Sequence, residues 1–258
     1  MKKWKAIAHC AIGSAHHHTQ QPCQDYSNFA LLTSDVIVGA VADGAGSALH
    51  SAEGAGVAVE TALSYFRKLC QQKGLNGNSH PPKLPQAKDH FINLLNEILI
   101  NIDKKAEDLN CSDQDLACTL MVFVATPQWL LAMQIGDGFM VYKTSDGDLN
   151  LIFDADKGEY INETTFVTSS NAVAEMQVKI LETKPYFLCA STDGLEKVAI
   201  QYKNKQPFLP FFNPLEEYLR ETTETDQDNY IQDFLNSERL NARTTDDKTL
   251  LLALLEEE

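Results

Sequence analysis

The stretch that most constrains the fold of this chain is residues 36–56, which read VIVGAVADGAGSALHSAEGAG. Its first residues are apolar and rich in β-branched side chains, a pattern that predicts a buried strand. The apolar run ends at Asp43-Gly44-Ala45-Gly46, where turn residues begin, and Ser51 opens a helical pattern as a candidate cap. Asp43 is therefore expected at a strand–turn–helix junction, where rigid elements often hold ligand-binding groups. On its own, an Asp-Gly pair is more consistent with an ordinary turn.

Apolar periodicity predicts two strands and two helices in the first part of the chain. Residues 4–15 and 26–32 read as strands, and the polar residues 14–23 read as a loop. Helical spacing is shown by two groups of apolar residues, namely Ala55, Val59, Ala62, Phe66 and Leu69, then Phe91, Leu94, Leu95, Ile98 and Ile102. Two amphipathic helices in succession indicate one helical layer. Residues 71–88 between them contain Gly and Pro and are expected to form a surface loop.

From residue 119 onward the chain is rich in strand patterns. The strand candidates are residues 119–125, 129–135, 139–143 and 149–153. They alternate with turn signals, which predicts a meander and hence a largely antiparallel sheet. Residues 154–184 are mixed and polar and are expected to form projecting loops. Further strands are predicted at residues 186–190 and 249–255, with a helix near residues 229–235.

Four aspartates share one position, the point where a predicted strand meets a turn. They are Asp43, Asp137, Asp193 and Asp246. Hard divalent cations such as Mg²⁺ and Mn²⁺ prefer oxygen ligands, and a glycine beside an aspartate lets the backbone approach an ion closely. The repeated pattern therefore favours a metal site, with four unrelated turns as the alternative.

The formal net charge of −15 limits the partners of the chain. It disfavours a nucleic acid or an anionic membrane, because both would be repelled. A phosphorylated substrate would also be repelled unless bound cations reverse the local charge. No segment has the ~20 apolar residues that span a bilayer, and the cysteines form no C-x-x-C pair. A soluble, cytoplasmic protein with reduced thiols is expected.

The order of five motifs resembles the metal-dependent serine/threonine protein phosphatases of type 2C, and most closely their bacterial branch. The motifs are Pro22-Cys23-Gln24-Asp25, Asp43-Gly44-Ala45-Gly46, Gly136-Asp137-Gly138, Ser191-Thr192-Asp193-Gly194 and Asp246-Asp247-Lys248-Thr249. Gly158-Glu159-Tyr160 with Thr164-Thr165-Phe166 is similar to the same branch. Each motif is weak alone. Five in this order, over nearly the whole chain, strongly disfavour four unrelated turns.

The resemblance implies both a fold and a metal centre. The fold is α+β, a four-layer α-β-β-α sandwich of two antiparallel sheets flanked by helices, formed by one catalytic domain over residues 1–258. Asp43 would bridge two cations, Mn²⁺ or Mg²⁺, and the Gly44 carbonyl would bind one of them. Asp193 and Asp246 would complete the protein ligands of the other.

Two further aspartates receive supporting roles from the same resemblance. Asp137 would help to hold a third, weaker ion, sharing Asp193 with the main pair. Asp25 would not bind a cation directly, but would act through a water molecule or by orienting one of the ligands. Water activated by the two cations would then attack phosphorus, so that no phosphoenzyme is needed. The absence of the Cys and Arg spacing of thiolate phosphatases agrees with this.

The sequence departs from the family pattern at two places. Gln20 and Gln21 occupy the neighbourhood in which many members have a phosphate-binding arginine. His16, His17 and His18 are candidates to bind phosphate instead, because imidazole donates hydrogen bonds. A solvated histidine loop is the equal alternative. Ala45 stands where animal members have a histidine proposed as a general acid, a residue that bacterial members commonly lack.

Two functions of different classes remain open from the sequence. The first is an active phosphatase acting on phosphoserine or phosphothreonine in proteins. The second is a catalytically weak phosphoprotein-binding module, suggested by the missing arginine. The retained acidic positions favour the enzyme. Substrate selectivity is expected in the loops at residues 71–88 and 154–184, and the oligomeric state is not indicated.

Overall fold

The computed structural model of the chain describes residues 2–145, 147–153, 164–201, 203–222 and 227–257. Its strands are β1 Lys2–Ala11, β2 Asp25–Thr33, β3 Val36–Asp43, β4 Leu120–Ala125, β5 Leu130–Ile135, β6 Phe139–Thr144, β7 Leu149–Leu151, β8 Gln177–Leu181, β9 Pro185–Ser191 and β10 Lys248–Glu257. Its α-helices are α1 Ser14–Thr19, α2 Ser51–Lys73, α3 Leu84–Leu109, α4 Ala172–Glu175, α5 Glu196–Ala199, α6 Leu209–Glu221, α7 Gln227–Asn236 and α8 Glu238–Asn241. Two short 3₁₀ turns lie at Asp113–Leu116 and Asp193–Leu195.

The strands form two antiparallel sheets of five. Sheet A has the order β1-β10-β9-β6-β7, and sheet B has the order β2-β3-β4-β5-β8. In sheet B, β3 lies between β2 and β4 and is buried along nearly its whole length. Val36, Val38 and Ala40 face one apolar cluster while Ile37 and Val41 face another, because successive side chains of a strand point to opposite sides. Burial on both faces explains why this strand is uniformly apolar rather than alternating.

Three apolar clusters define four layers. The first packs α2 and α3 on the outer face of sheet B. The second packs α6 and α7 on the outer face of sheet A. The third fills the space between the sheets and includes Trp4, Phe123 and Leu251. The α-β-β-α sandwich expected from the resemblance is therefore confirmed.

Three predictions about the first part of the chain were wrong in detail. Residues 14–19 form α1 rather than a loop, and the N–H of Ala15 donates to the Thr245 carbonyl at 3.0 Å. The loop predicted at residues 71–88 is shorter, because α2 continues to Lys73 and α3 begins at Leu84. Ser51 is not a cap. It lies inside the first turn of α2, and its buried Oγ finds no hydrogen-bond partner among the described residues.

The later strands were located correctly, but they do not form one meander. β4 and β5 pair in sheet B, whereas β6 pairs with β7 and β9 in sheet A. Gly136-Asp137-Gly138 therefore connects β5 of sheet B to β6 of sheet A. Gly136 has a φ of +105° there, a conformation open chiefly to glycine.

Two segments after β7 also differ from the predictions. The projecting loops expected at residues 154–184 contain α4 and the edge strand β8, while residues 154–163, with Gly158-Glu159-Tyr160, lie outside the described residues. Helix α6 was not predicted, and it contains Pro210 and Pro214, residues that usually interrupt helices. It forms nevertheless, since Pro210 occupies the first turn and the helix buries an apolar face. In the described ranges no helix has the length and apolar character to cross a bilayer.

Candidate metal centre

The acidic positions meet at one edge of the sandwich. Asp25 begins β2 and Asp43 ends β3, and the two are direct partners in the antiparallel ladder. Asp193 comes two residues after β9, and Asp246 comes two residues before β10. Since β9 and β10 are antiparallel neighbours, these two strand ends lie side by side. Asp137 is in the connection between β5 and β6.

Asp43 has the most perturbed carboxyl of the described site residues. Its pKa is raised to about 10, first by burial and then by the negative charges of its neighbours. Those neighbours are Asp25, Asp193, Asp246 and Asp137. The side chains predicted from separate motifs therefore act on one another electrostatically around Asp43.

Two hydrogen bonds to Thr119 hold the backbone of Asp43. Its N–H donates to Thr119 Oγ1 at 2.9 Å, and its carbonyl accepts from the Thr119 N–H at 2.8 Å. The next residue, Gly44, approaches the start of α2 so closely that a Cβ there would lie 2.7 Å from Ser51 Cβ and 2.8 Å from its carbonyl oxygen. Glycine is thus required by this close approach, which brings strand, turn and helix together.

Asp25 is buried beneath the other carboxyls. Its Oδ2 accepts hydrogen bonds from Thr192 Oγ1 at 2.8 Å and from Thr249 Oγ1 at 2.7 Å. Burial raises the pKa of Asp25 to about 7, the two hydroxyl hydrogen bonds oppose the shift, and the charges of Asp247 and Asp246 add to it. These bonds join strands of both sheets at the base of the site.

The carboxyls of Asp193 and Asp43 affect each other's pKa. Burial and the charges of Asp137 and Asp246 raise the pKa of Asp193 to about 6, and its interaction with Asp43 opposes the shift. Two carboxyls in contact need a proton between them, or a cation, to offset their charges. In the parts of the chain that the structure describes, no three His, Cys, Asp or Glu side chains are arranged to hold an ion as they stand.

The remaining predicted aspartates lie nearer the surface. Asp246 is exposed, and its Oδ1 accepts the N–H of Asp247 at 2.9 Å. Asp137 accepts a hydrogen bond on Oδ2 from Thr164 Oγ1 at 2.8 Å. Thr164 follows directly after the segment outside the described residues, so Asp137 is at the border between the sheet edge and that segment.

The three histidines lie on α1, beside the site. His16 Nδ1 is 3.0 Å from Asp247 Oδ1, so this ring is directed into the protein. His17 is exposed, and the side chain of His18 lies outside the described part of the structure. Phosphate binding by His16, His17 or His18 stays a prediction.

Sequence reasoning missed the role of Asp247. It is 3% exposed, and its two carboxylate oxygens accept the N–H groups of Gly13 and Gln24, each at 2.6 Å. It therefore joins the chain before α1, the chain before β2 and the start of β10. The roles of Thr119, Thr192 and Thr249 were missed as well. The available signal was their place at the same strand ends as the aspartates.

Comparisons with known proteins agree with this architecture. The sequence model of the family "Protein phosphatase 2C" matches residues 12–236. Serine/threonine-protein phosphatase 3 of Escherichia coli (strain K12) is 31% identical over 260 residues, which cover 97% of this chain and 98% of that protein.

Solved structures share the fold at low sequence identity. The serine/threonine phosphatase Stp1 from Staphylococcus aureus superposes with a TM-score of 0.62 at 15% identity, covering 98% of this chain and 95% of Stp1. The catalytic domain of the serine/threonine protein phosphatase PstP, solved with two manganese ions, gives 0.56 at 15% identity and full coverage of both chains. At such identities these two matches concern the fold alone.

Taken with the sandwich and its acidic edge, the match along almost the full length of the E. coli enzyme defines a serine/threonine-protein phosphatase. More specifically, the chain belongs to the protein phosphatase 2C family.

Proposed function

We propose that the protein hydrolyses phosphoserine and phosphothreonine in proteins with the help of two divalent cations, Mn²⁺ or Mg²⁺. The cations would be held by Asp43, the carbonyl of Gly44, Asp193 and Asp246. The observation that supports this most is the meeting of four strand ends, which bring Asp25, Asp193 and Asp246 to the half-buried Asp43 at one edge of the sandwich. Such a group is costly without positive charge and well suited to cations.

The chemistry of the donor set fits these ions. The groups at the edge are carboxylates and backbone carbonyls, the oxygen ligands that Mg²⁺ and Mn²⁺ prefer. The raised pKa values of Asp43 and Asp193, which burial and the neighbouring carboxyls cause, agree with a site that positive charge would stabilise. PstP, which shares the fold, was solved with two manganese ions. When bound, cations of this kind lower the pKa of water and neutralise phosphoryl oxygens.

The chain itself would contribute position and charge. Thr119 holds the Asp43 backbone through two hydrogen bonds, which fixes the central carboxyl at the strand end. Asp25, held by Thr192 and Thr249, would orient the groups above it. Asp137 would help to bind a third, weaker ion together with Asp193. Because the net charge is −15, the phosphorylated protein would approach only where cations reverse the local sign.

The alternative, a catalytically weak binding module, is not favoured. It was suggested by the missing arginine, but all the acidic positions of the family pattern are present in this chain. Phosphate binding by the cations themselves would make the arginine less necessary.

The decisive experiment measures hydrolysis of an aryl phosphate and of a phosphothreonine peptide in Mn²⁺, with and without a chelator. Chelator-sensitive turnover is expected for the wild type. Asp43→Ala should reduce it at least about 100-fold, because the stabilisation that a cation provides amounts to several kcal/mol. Asp148→Ala, which removes an exposed carboxylate in the β6–β7 hairpin, is the matched control and should retain wild-type turnover. A wild type without chelator-sensitive turnover in any divalent cation would contradict the proposal.

A further inference from the structure

A cavity unrelated to the acidic edge lies under the loop between α2 and α3. It has a volume of about 250 Å³ and is enclosed by the last turns of α2, the start of α3, the loop and strands of sheet B. Helix α2 begins against Gly44 at Ser51, and its first residue in the lining is Phe66, so roughly 22 Å of helix separate the two places.

The inner wall of the cavity is apolar and buried. Phe66, Val124, Trp129 and Leu131 line it, and each is at most 3% exposed. The loop is attached to this wall, because the indole N–H of Trp129 donates to the carbonyl of Ser79 at 2.6 Å. For comparison, an engineered apolar cavity of about 150 Å³ binds benzene. The cavity therefore has room for an apolar group somewhat larger than one aromatic ring.

The mouth of the cavity is basic. Lys73 and His80 are exposed and His90 is half-buried, and all three belong to the lining. Among the described residues no carboxylate lines the cavity, although the chain has a net charge of −15 and Asp89 is near enough to act on His90. Lys73 brings a positive charge to the mouth, which favours an anionic ligand.

Lys73 is available to such a ligand. Its ammonium group donates to His90 Nε2 at 2.9 Å, which leaves hydrogens for further acceptors. His90 in turn has Nδ1 at 3.2 Å from the hydroxyl of Tyr65. Burial and the charge of Lys73 lower the pKa of His90, and the charge of Asp89 opposes the shift; the net lowering agrees with a neutral imidazole that accepts from lysine. Among the described residues no carboxylate pairs with Lys73, whereas the nearby Glu97 pairs with Lys68 at 3.0 Å.

We propose that this cavity binds a small amphipathic carboxylate, whose apolar body lies against Trp129 and whose carboxylate group pairs with Lys73 at the mouth. An apolar interior with a few placed polar groups is the usual construction of a small-molecule site. The lysine would distinguish the carboxylate from a neutral molecule of the same shape.

The test uses octanoate as the probe and octanol as its neutral counterpart, titrated into the full chain by calorimetry while tryptophan emission is followed. Octanoate should bind saturably and change the emission of Trp129, whereas Trp4, which is fully buried between the sheets, is not at this site. Octanol should bind at least about tenfold more weakly, because the loss of one charge-assisted hydrogen bond lowers the affinity by about that factor. Equal affinities, or no saturable binding of octanoate, would overturn the proposal.

Two variants and a control locate the binding. Lys73→Met should weaken octanoate about tenfold and leave octanol unchanged, because it removes only the charged partner. Lys68→Met removes the same charge from the same helix outside the cavity, and should have no effect. Leu69→Phe, which enlarges a half-buried side chain of the lining, should weaken both probes. If Lys68→Met weakens octanoate as much as Lys73→Met does, the attraction is general and the site is refuted.

Discussion

At the scale of single residues, neighbouring carboxylates of one motif have different tasks. Asp246 is exposed at the edge and belongs to the proposed cation ligands, whereas Asp247 is buried and accepts two backbone N–H groups. Alternation along an extended chain explains the difference, since successive side chains point in opposite directions. A motif written as Asp-Asp therefore combines a proposed cation ligand, Asp246, with Asp247, which holds three chain segments together.

Replacing Asp247 by asparagine tests this role. Asp247→Asn keeps the size of the side chain but replaces one accepting oxygen with an NH₂ group, which cannot accept the backbone N–H that faces it. We expect the free energy of unfolding to fall by ~1–3 kcal/mol. Urea denaturation of Asp247→Asn and of the exposed control Asp148→Asn measures the difference. Equal stability of the two variants would show that the contacts of Asp247 contribute little.

At the scale of elements, α2 depends on close contact with its surroundings. Gly54, in its first turn, faces the carbonyl group of Leu116, and a Cβ there would lie 2.7 Å from the Leu116 carbonyl carbon. Gly56, two residues later, has nothing within 4 Å of an added Cβ. The helix therefore contains one glycine that the packing requires and one that it does not.

The pair of substitutions Gly54→Ala and Gly56→Ala separates these cases within one helix. Gly54→Ala should destabilise the protein by ~1–3 kcal/mol, because the helix must move away from the Leu116 segment. Gly56→Ala should stabilise it by roughly 0.5–1 kcal/mol, because alanine has a higher helix propensity than glycine by about that amount. Thermal unfolding of both proteins measures the two shifts, and shifts of the same sign would contradict the tight docking of α2.

At the scale of the whole molecule, the proposed metal centre exists only where the two sheets meet. Asp25 and Asp43 come from sheet B, and Asp193 and Asp246 lie at strand ends of sheet A. The sheets are joined beside β1, where Trp4 donates its backbone N–H to the Ser34 carbonyl at 2.9 Å and its indole N–H to that of Asp35 at 3.2 Å. Bound cations should therefore stabilise the sandwich as a whole.

Metal-linked stability can be measured directly. At a Mn²⁺ concentration about 100 times the dissociation constant, the wild type should gain about 2.7 kcal/mol, or a rise of about 5–10 °C in Tm. Asp43→Asn should show little rise. In chelator the same variant should be no less stable than the wild type, because asparagine folds without the proton uptake that the raised pKa of Asp43 requires. Equal Mn²⁺-dependent rises for both proteins would argue against Asp43 as a ligand.

The sequence by itself determined the elements that depend on local patterns. The apolar run of β3, the helical spacing of α2 and α3, and the strand that ends before Asp193 follow from side-chain periodicity, which is a local property. The order of the motifs also indicated the family, and with it the four-layer fold.

Only the tertiary structure decided how these elements meet. Periodicity shows that a strand is buried but not which strand pairs with it, so the transfer of the chain from sheet B to sheet A at Asp137 was not predictable from pattern. The same limit applies to α6, which forms around Pro214 because its apolar face is covered. It applies also to Thr192 and Thr249, whose bonds to Asp25 join residues more than 160 positions apart. Contacts over such distances arise from packing, and packing is a property of the folded molecule as a whole.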